Sequence, residues 1–518
     1  MSTAPRPTRP TPAEFAKLQA DFATLQAQNQ SLSQQLAWFR RQLFGSKSER
    51  RLVDDNPHQP LLDGLIDSTE PTPVPVTETI SYQRRKGKER DEDCVTEQGL
   101  RFDESVPVVT IELSAPESMR GDEWEVIAEK VTHRLAQRPG SHVVLRYVRP
   151  VLKRKCDATL LTVPAPDALW EGSVADVSVV AGVLVDKFCY HLPLYRQHQR
   201  LLRSGITLAR PTLTTWVHRS AALLRPIVEA QLRHMLLSKT LAMDETPIKA
   251  GRGKRKGKMK SAWYWPLYGE DDEVVFTFSP SHARAHIDKV LGNFTGTLLS
   301  DGAPVYEQFT RRRPELVHAQ CWSHTRRKFV SAETHEPDAV AAALELIGAL
   351  YAVEAHIRDN KLDAERALAY RAEHARVGVD AFFVWCHEQC QRIELTPSNP
   401  LSIAIQYAQA REGALRVYLT DPTVAIDTNH LERALRPIPM GRKSWLFCWT
   451  EVGAETVGII QSLLSTCRLH GINPYTYLVD VLQRIALHPD SQVEDLTPRR
   501  WKTLFADNPL RSDLALAT

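Results

Sequence analysis

Three acidic residues stand where an acid is costly. Asp244 ends the apolar run Leu241-Ala-Met243, and Asp301 ends Thr297-Leu-Leu-Ser300. Both runs read as buried strands. A carboxylate at the end of a buried strand is poorly solvated, so it has a cation or a metal beside it or gives up its charge. The third acid, Glu432, lies in the stretch 428–445, on a short helix begun by Asp427 and Asn429, among Arg433, Arg436, Arg442 and Lys443. Brought together, the three carboxylates supply the oxygen donors for two Mg²⁺ ions, with Mn²⁺ as substitute. Such ions sit about 3.5–4 Å apart in enzymes that displace phosphodiesters in line. The cations around Glu432 would hold the nucleic-acid backbone, and Arg436, one turn on, would orient the carboxylate or hold a phosphate. Taken singly, each acid is as well explained by a helix cap or a surface ion pair. The set of three, in the element order below, points to metal chemistry.

The elements that must position these acids follow from hydrophobic periodicity. Residues 240–244, 262–268 and 273–278 read as three sequential strands, 281–291 as a helix, 297–300 as a fourth strand, 305–309 as a short helix and 317–319 as a fifth strand. This β-β-β-α-β-α-β order is that of an RNase H-like α/β fold, in which the first and fourth strands are neighbours and Asp244 meets Asp301. An unrelated α/β sheet gives the same pattern. Residues 238–330 form the first part of this core. The almost wholly helical 331–425 is an insertion into it, 426–450 completes it with Glu432, and the helices of 451–505 pack back on it. The first hairpin carries six cations and three glycines in 251–260. Lys254, Arg255, Lys256 and Lys258 read either as phosphate contacts or as a solvated loop. Arg326 and Arg327 follow the half zinc-like pair Cys321 and His324. With no second pair nearby, these two residues are expected to fix a helix start, and His324 is a candidate active-site support.

Upstream, Phe15, Leu18, Phe22, Leu25, Asn29, Leu32, Leu36, Phe39 and Leu43 recur at steps of three and four. They read as a leucine-zipper-like coiled coil over 11–46 that joins two protomers. Asn29 at an a position favours a parallel pair, although a helix docked on its own core is the competing reading. Residues 47–100 are a Pro-rich, basic linker, and 101–165 a small β-rich module. Residues 172–232 are helical, and 194–216 reads as a helix-turn-helix or as an ordinary helical hairpin. In the first case Thr212, Thr214, Thr215 and His218 face base edges.

Composition sets the class. At 518 residues the chain needs two to four domains, and a net charge of +3 confines nucleic-acid affinity to local basic clusters. Eight scattered cysteines without a Cys-x-x-Cys pair, and the lack of a leader or of an apolar run near 20 residues, lead us to expect a cytoplasmic protein with reduced thiols and no membrane partner.

Several long motifs occur in order: Met243-Asp-Glu-Thr-Pro247, Ser300-Asp-Gly-Ala-Pro-Val-Tyr306, Cys321-Trp-Ser-His-Thr-Arg-Arg-Lys-Phe329, residues 429–445 and residues 462–478. In these the chain resembles the transposases of the insertion sequence 66 family, over about residues 10–505. The resemblance implies a bacterial DNA transposase with an RNase H-like core and an Asp-Asp-Glu metal site, matched here by Asp244, Asp301 and Glu432. It implies double-stranded DNA, both element ends and target, as partner, and it allows for accessory proteins encoded by the same element. Family members often carry a zinc knuckle after the basic stretch. Only Cys94 and Cys156 fall in that region, so no structural zinc is expected. Two other functions share these features: a structure-specific nuclease of the same fold, and a dimeric DNA-binding regulator with an inactive core.

Overall fold

The computed structural model describes residues 100–516 apart from 103–105, 114–123, 139, 157–159, 254–257, 394, 446–447 and 449. The expected coiled coil, all of the linker but Leu100, and Lys254, Arg255 and Lys256 lie outside the described residues.

The first strands are β1 (Arg101–Phe102), which pairs with a later strand, and β2 (Val108–Glu112), β3 (Trp124–Arg138), β4 (Ser141–Arg154) and β5 (Leu160–Thr162), which supply the β-rich module. Its sheet runs β2-β4-β3, with β5 also on β4. The β3–β4 hairpin is longer than its hydrophobic pattern suggests, because Arg134 and Arg149 are buried inside it. Their guanidinium groups donate to the carbonyls of Asp167 and Val163, so charge in the sequence hides a strand.

Next come α1 (Val177–Phe188), α2 (Leu194–Arg203), β6 (Ile206–Thr207) and α3 (Arg210–Met235). The helical hairpin expected at 194–216 turns at Gly205, whose φ of +78° suits a residue without a Cβ. One part of the expected reading face is corrected: His218 Nδ1 lies 2.9 Å from Thr456 Oγ1, turned toward the protein's own C-terminal half.

The central sheet is built from β7 (Thr240–Met243), β8 (Thr246–Arg252), β9 (Met259–Tyr268), β10 (Val274–Ser279), β11 (Thr297–Ser300) and β12 (Val317–Gln320). Its order is β10-β9-β7-β11-β12, with β8 beside β9. β9 is antiparallel to both neighbours, whereas β7, β11 and β12 run parallel. The helix α4 (Ala285–Leu291) joins β10 to β11, and α5 (Pro304–Thr310) joins β11 to β12.

After β12 the chain is helical: α6 (Trp322–Val330), α7 (Pro337–Asp359), α8 (Ala364–Tyr370), a π-helical turn (Arg371–Ala375), α9 (Arg376–Cys390), α10 (Pro400–Gln409) and α11 (Glu412–Arg416). The expectation that no apolar run nears a membrane span is corrected at α7, which is long and apolar enough to cross a membrane by length and composition. Much of that apolarity is alanine, and Val340, Ala343, Ile347 and Leu350 are buried in the hydrophobic core. The return to the sheet is α12 (Asn429–Leu435) and α13 (Pro437–Trp445), followed by α14 (Glu451–Leu469), α15 (Pro474–Arg484), α16 (Pro498–Leu504) and α17 (Asp513–Leu516).

One helix closes the exposed side of the sheet. β10 is an edge strand, and its backbone N–H groups at Val274 and Phe276 donate to the hydroxyls of Thr466 and Ser462 on α14. The small stripe Gly458, Ser462, Thr466 lets α14 approach this closely. A Cβ on Gly458 would stand 2.6 Å from the Phe276 carbonyl oxygen. The covered edge offers no template for another strand.

Within the helical block Arg371 is 4% exposed, holds the Glu354 carboxylate through two nitrogens at 2.8 Å, and donates to the carbonyls of Tyr418 and Asp421 at 2.7 and 3.1 Å. Truncating one partner of such a pair leaves an uncompensated charge, at a cost of about 3–5 kcal/mol. Arg371→Ala is therefore expected to open residues 337–421 to limited proteolysis at temperatures the parent resists. Arg371→Leu combined with Glu354→Leu should recover most of the resistance.

Candidate active site

The sheet register decides where the first two acids go. β7 and β11 pair in parallel from Thr240↔Thr297 to Met243↔Ser300. The next residue on each strand is an aspartate, so Asp244 and Asp301 leave neighbouring strand ends side by side, on strands about 4.8 Å apart. β7 and β8 are two parts of one strand in register with β9, since Met243 faces Leu267 and Thr246 faces Tyr264. The hydrogen-bond ladder lapses between them, at Asp244 and Glu245, where the partner strand holds Pro266. The Pro266 carbonyl still accepts from the Asp244 N–H at 3.3 Å, but a proline has no N–H to return. Proline thus frees the backbone at the position where the carboxylate is wanted.

Each carboxylate is oriented locally. Asp244 Oδ1 accepts from the Glu245 N–H at 2.7 Å, and Asp301 Oδ1 accepts from the Ala303 N–H at 3.0 Å. Burial pushes the Asp244 carboxyl up to about 7; the Glu245 N–H opposes this, and the negative charges of Asp301, Glu245 and Glu432 add to it. Glu432 lies in the first turn of α12, whose start is fixed by Asp427 accepting from the Asn429 N–H at 3.0 Å and by Cys321 Sγ accepting from the Thr428 N–H at 3.3 Å. As expected from the sequence, Cys321 also sits at the start of its own helix, as the residue before α6.

Glu432 is held by Arg327, whose Nη2 donates to Oε1 at 2.8 Å, with His324 Nε2 3.8 Å from the same oxygen. This corrects the expectation that Arg436 orients it; Arg436 is exposed. Among the described residues no three His, Cys, Asp or Glu are clustered closely enough to hold a metal ion. Asp244 and Asp301 are brought together, and Glu432 is drawn toward Arg327. The donor set nonetheless suits Mg²⁺ or Mn²⁺. It consists of hard carboxylate oxygens, and Asp244 is disfavoured as an anion by its burial and its acidic neighbours, a condition that a divalent cation relieves.

Sequence reasoning missed two supports of this site, although both lie in quoted motifs. Glu245 accepts from the buried Tyr306 hydroxyl at 2.7 Å and lies 3.2 Å from His282 Nε2, and that imidazole stacks on Trp265 at 5.1 Å. Burial raises the Glu245 carboxyl, while Tyr306 and His282 hold it down. The adjacency of a second acid to Asp244 was the available signal. Tyr264 and Trp265, on the strand that leaves the cationic hairpin, are both fully buried.

The expected DNA-contacting cations are distributed unevenly. Arg326 and Arg327 are exposed on α6, and Arg433 and Arg436 are exposed on the helix that carries Glu432. The stretch 441–445 is helix: Pro437 starts α13, and Gly441 leaves room for the Trp445 ring. On that helix Lys443 is exposed, while Arg442 donates to the Pro247 carbonyl. Lys258 is exposed at the mouth of the β8–β9 hairpin. In the first turns of α3, Thr215 is exposed, and Thr212 and Thr214 are half-buried.

The raised Asp244 carboxyl has a signed consequence. The native state holds that proton more tightly than the unfolded chain, so metal-free stability falls as pH rises from about 4 to about 7 and stays low above that. Asp244→Asn removes the cost. At pH 8 without divalent metal the variant should be more stable than the parent, by at most about 4 kcal/mol, with no difference near pH 4. Mg²⁺ should narrow the gap at pH 8 by stabilising the parent; thermal unfolding midpoints at the two pH values check this.

Comparison with known proteins places this geometry in context. The family described as "Transposase IS66 family" matches residues 172–456, "IS66 C-terminal element" matches 462–499, and "Transposase C of IS166 homeodomain" matches 31–111. Two similar proteins come from Sinorhizobium fredii (strain NBRC 101917 / NGR234). "Uncharacterized protein y4jD" is 30% identical over 394 residues, covering 73% of this chain and 76% of its own. "Uncharacterized protein y4hP" is 30% identical over 412 residues, covering 74% and 73%. Among solved structures, the "Drosophila P element transposase strand transfer complex" overlaps 57% of this chain and 80% of its own at 11% identity, with a TM-score of 0.20, too loose an overlap to bear on the fold. Since the first match alone spans more than half of the 518 residues, the chain belongs to the IS66 family of transposases.

Proposed function

We propose that this transposase cuts DNA at the ends of its insertion sequence and joins the freed 3′ ends to target DNA, with Asp244, Asp301 and Glu432 as the carboxylates of one metal site in an RNase H-like core. The observation that carries the reading is the Met243↔Ser300 register, which delivers two aspartates together at the ends of parallel strands. The strand order β10-β9-β7-β11-β12, with β9 alone reversed, supports the RNase H-like assignment. Two Mg²⁺, or Mn²⁺ in their place, supply activation of the attacking oxygen and charge stabilisation at the scissile phosphate when bound.

The chain's own part is to hold and release. Asp244 and Asp301 are fixed by N–H groups of their own loops. Arg327 holds Glu432, and a DNA phosphate beside α6 competes for that guanidinium, which frees the carboxylate to complete the site. Arg326, Arg433, Arg436 and Lys443, with the cationic hairpin, grip the double-stranded backbone. Thr212, Thr214 and Thr215 read the element end, and the coil of 11–46 joins two protomers.

A labelled duplex carrying the element end, incubated with Mg²⁺ or Mn²⁺, tests this. The parent protein should give cleaved and joined products. Asp244→Asn, Asp301→Asn and Glu432→Gln should each lower them by a factor on the order of 10³ or more while leaving duplex binding within about threefold. Cleavage without joining would instead indicate a nuclease. Specific binding without cleavage, even with the neighbouring gene products supplied, would indicate a regulator with an inactive core.

A further inference from the structure

The turn that follows Asp301 is gripped from outside the sheet. The helical block brings Tyr407, on α10, and Arg411, just before α11, onto Gly302. Arg411 Nη2 donates to the Gly302 carbonyl at 3.0 Å and Nη1 to the Tyr407 carbonyl at 3.2 Å, with the guanidinium centred 3.8 Å from the Tyr407 ring. Lys328 Nζ lies 5.1 Å from the centre of that ring. Gly302 has to be glycine here: a Cβ would stand 2.0 Å from the Tyr407 hydroxyl and 2.6 Å from Arg411 Nε.

The peptide unit involved makes this contact relevant to the site. The Gly302 carbonyl and the Ala303 N–H are opposite edges of one planar group. Arg411 holds the first edge, and the second donates to Asp301 Oδ1 at 3.0 Å. Tilting that plane misdirects the N–H and lets the Asp301 carboxylate turn away.

We propose that Arg411 and Tyr407 are positioning residues for Asp301, so that the helical block sets the geometry of a metal ligand through the Gly302–Ala303 peptide plane. The inference rests on the reading of Asp244, Asp301 and Glu432 as a metal site. It assigns the insertion a part in building that site, in addition to any contact it makes with DNA. Groups that orient a metal ligand are commonly worth about 10–100-fold in metal affinity.

The test is Mn²⁺ binding to the full chain in complex with its element-end duplex, read from the free-ion signal in electron paramagnetic resonance with the duplex alone as background. The parent should bind Mn²⁺, and Asp301→Asn should abolish or strongly weaken binding. Arg411→Ala should weaken it by about tenfold or more. Arg411→Lys, which reaches one carbonyl but not two, should fall between. Gly302→Ala, which displaces Tyr407 and Arg411 without altering either, should reproduce the loss. Arg416→Ala is the control, because it removes ion pairs to Asp380 and Glu412 in the same block without touching Gly302; its affinity should match the parent's. If Arg411→Ala proves unstable, Gly302→Ala and Arg411→Lys carry the result. Parental affinity in the folded Arg411 and Gly302 variants, with Asp301→Asn still defective, would overturn the proposal and leave the metal site standing. A parent that binds no Mn²⁺ would remove the metal site and the proposal with it.

Discussion

Parallel pairing of β7 with β11 is the constraint on which the rest of the site depends. It sets two aspartates at adjacent strand ends, where the Asp301 charge adds to the cost that burial puts on the Asp244 anion. Two backbone demands of the surrounding sheet are met. Pro266 releases the ladder opposite Asp244. The edge strand β10 is satisfied by hydroxyls of α14, and the Tyr264 hydroxyl donates to the Ala454 carbonyl on that same helix.

Glu432 reaches the site by a longer route. Between Asp301 and Glu432 the chain builds a complete helical block, so the third acid is placed only when that block has folded. Its return is tied to α6 at several points: the Trp322 N–H donates to the Ile426 carbonyl, the Trp322 indole to the Leu415 carbonyl, and Thr428 to the Cys321 thiol. Arg371 closes the far side of the same return. The third acid is held by Arg327, an exposed residue; under the proposed function this hold links completion of the site to arrival of the substrate.

The sheet was legible in the sequence because its strands are short apolar runs that end at acids or turns. The order of the strands read from 240 to 320 follows from that pattern, whereas the neighbouring placement of Asp244 and Asp301 needed the RNase H-like order in addition. β8 was missed, since Thr246-Pro-Ile-Lys-Ala alternates weakly and opens with a proline. The second half of β3 left little trace in the sequence, because a buried arginine, Arg134, imitates a solvated segment. Residues 437–445 form a helix although Pro and Gly usually punctuate turns; here Pro437 begins the helix and Gly441 makes room for an indole. Contacts between distant segments left no local trace. Nothing in the spacing of Tyr407 and Arg411 announces Gly302, and nothing in Arg327 announces Glu432, because both depend on how a block of helices folds back on the sheet.

The claim that these three acids form one metal site is tested most directly by replacing Mg²⁺ with Fe²⁺ in the DNA-bound protein, adding ascorbate and peroxide, and mapping where the polypeptide is cut by radicals generated at the metal. The account predicts cuts in three segments far apart in sequence, around 244, 301 and 432, all lost together in Asp244→Asn. Cuts confined to one segment, or cuts that persist in that variant, would contradict it.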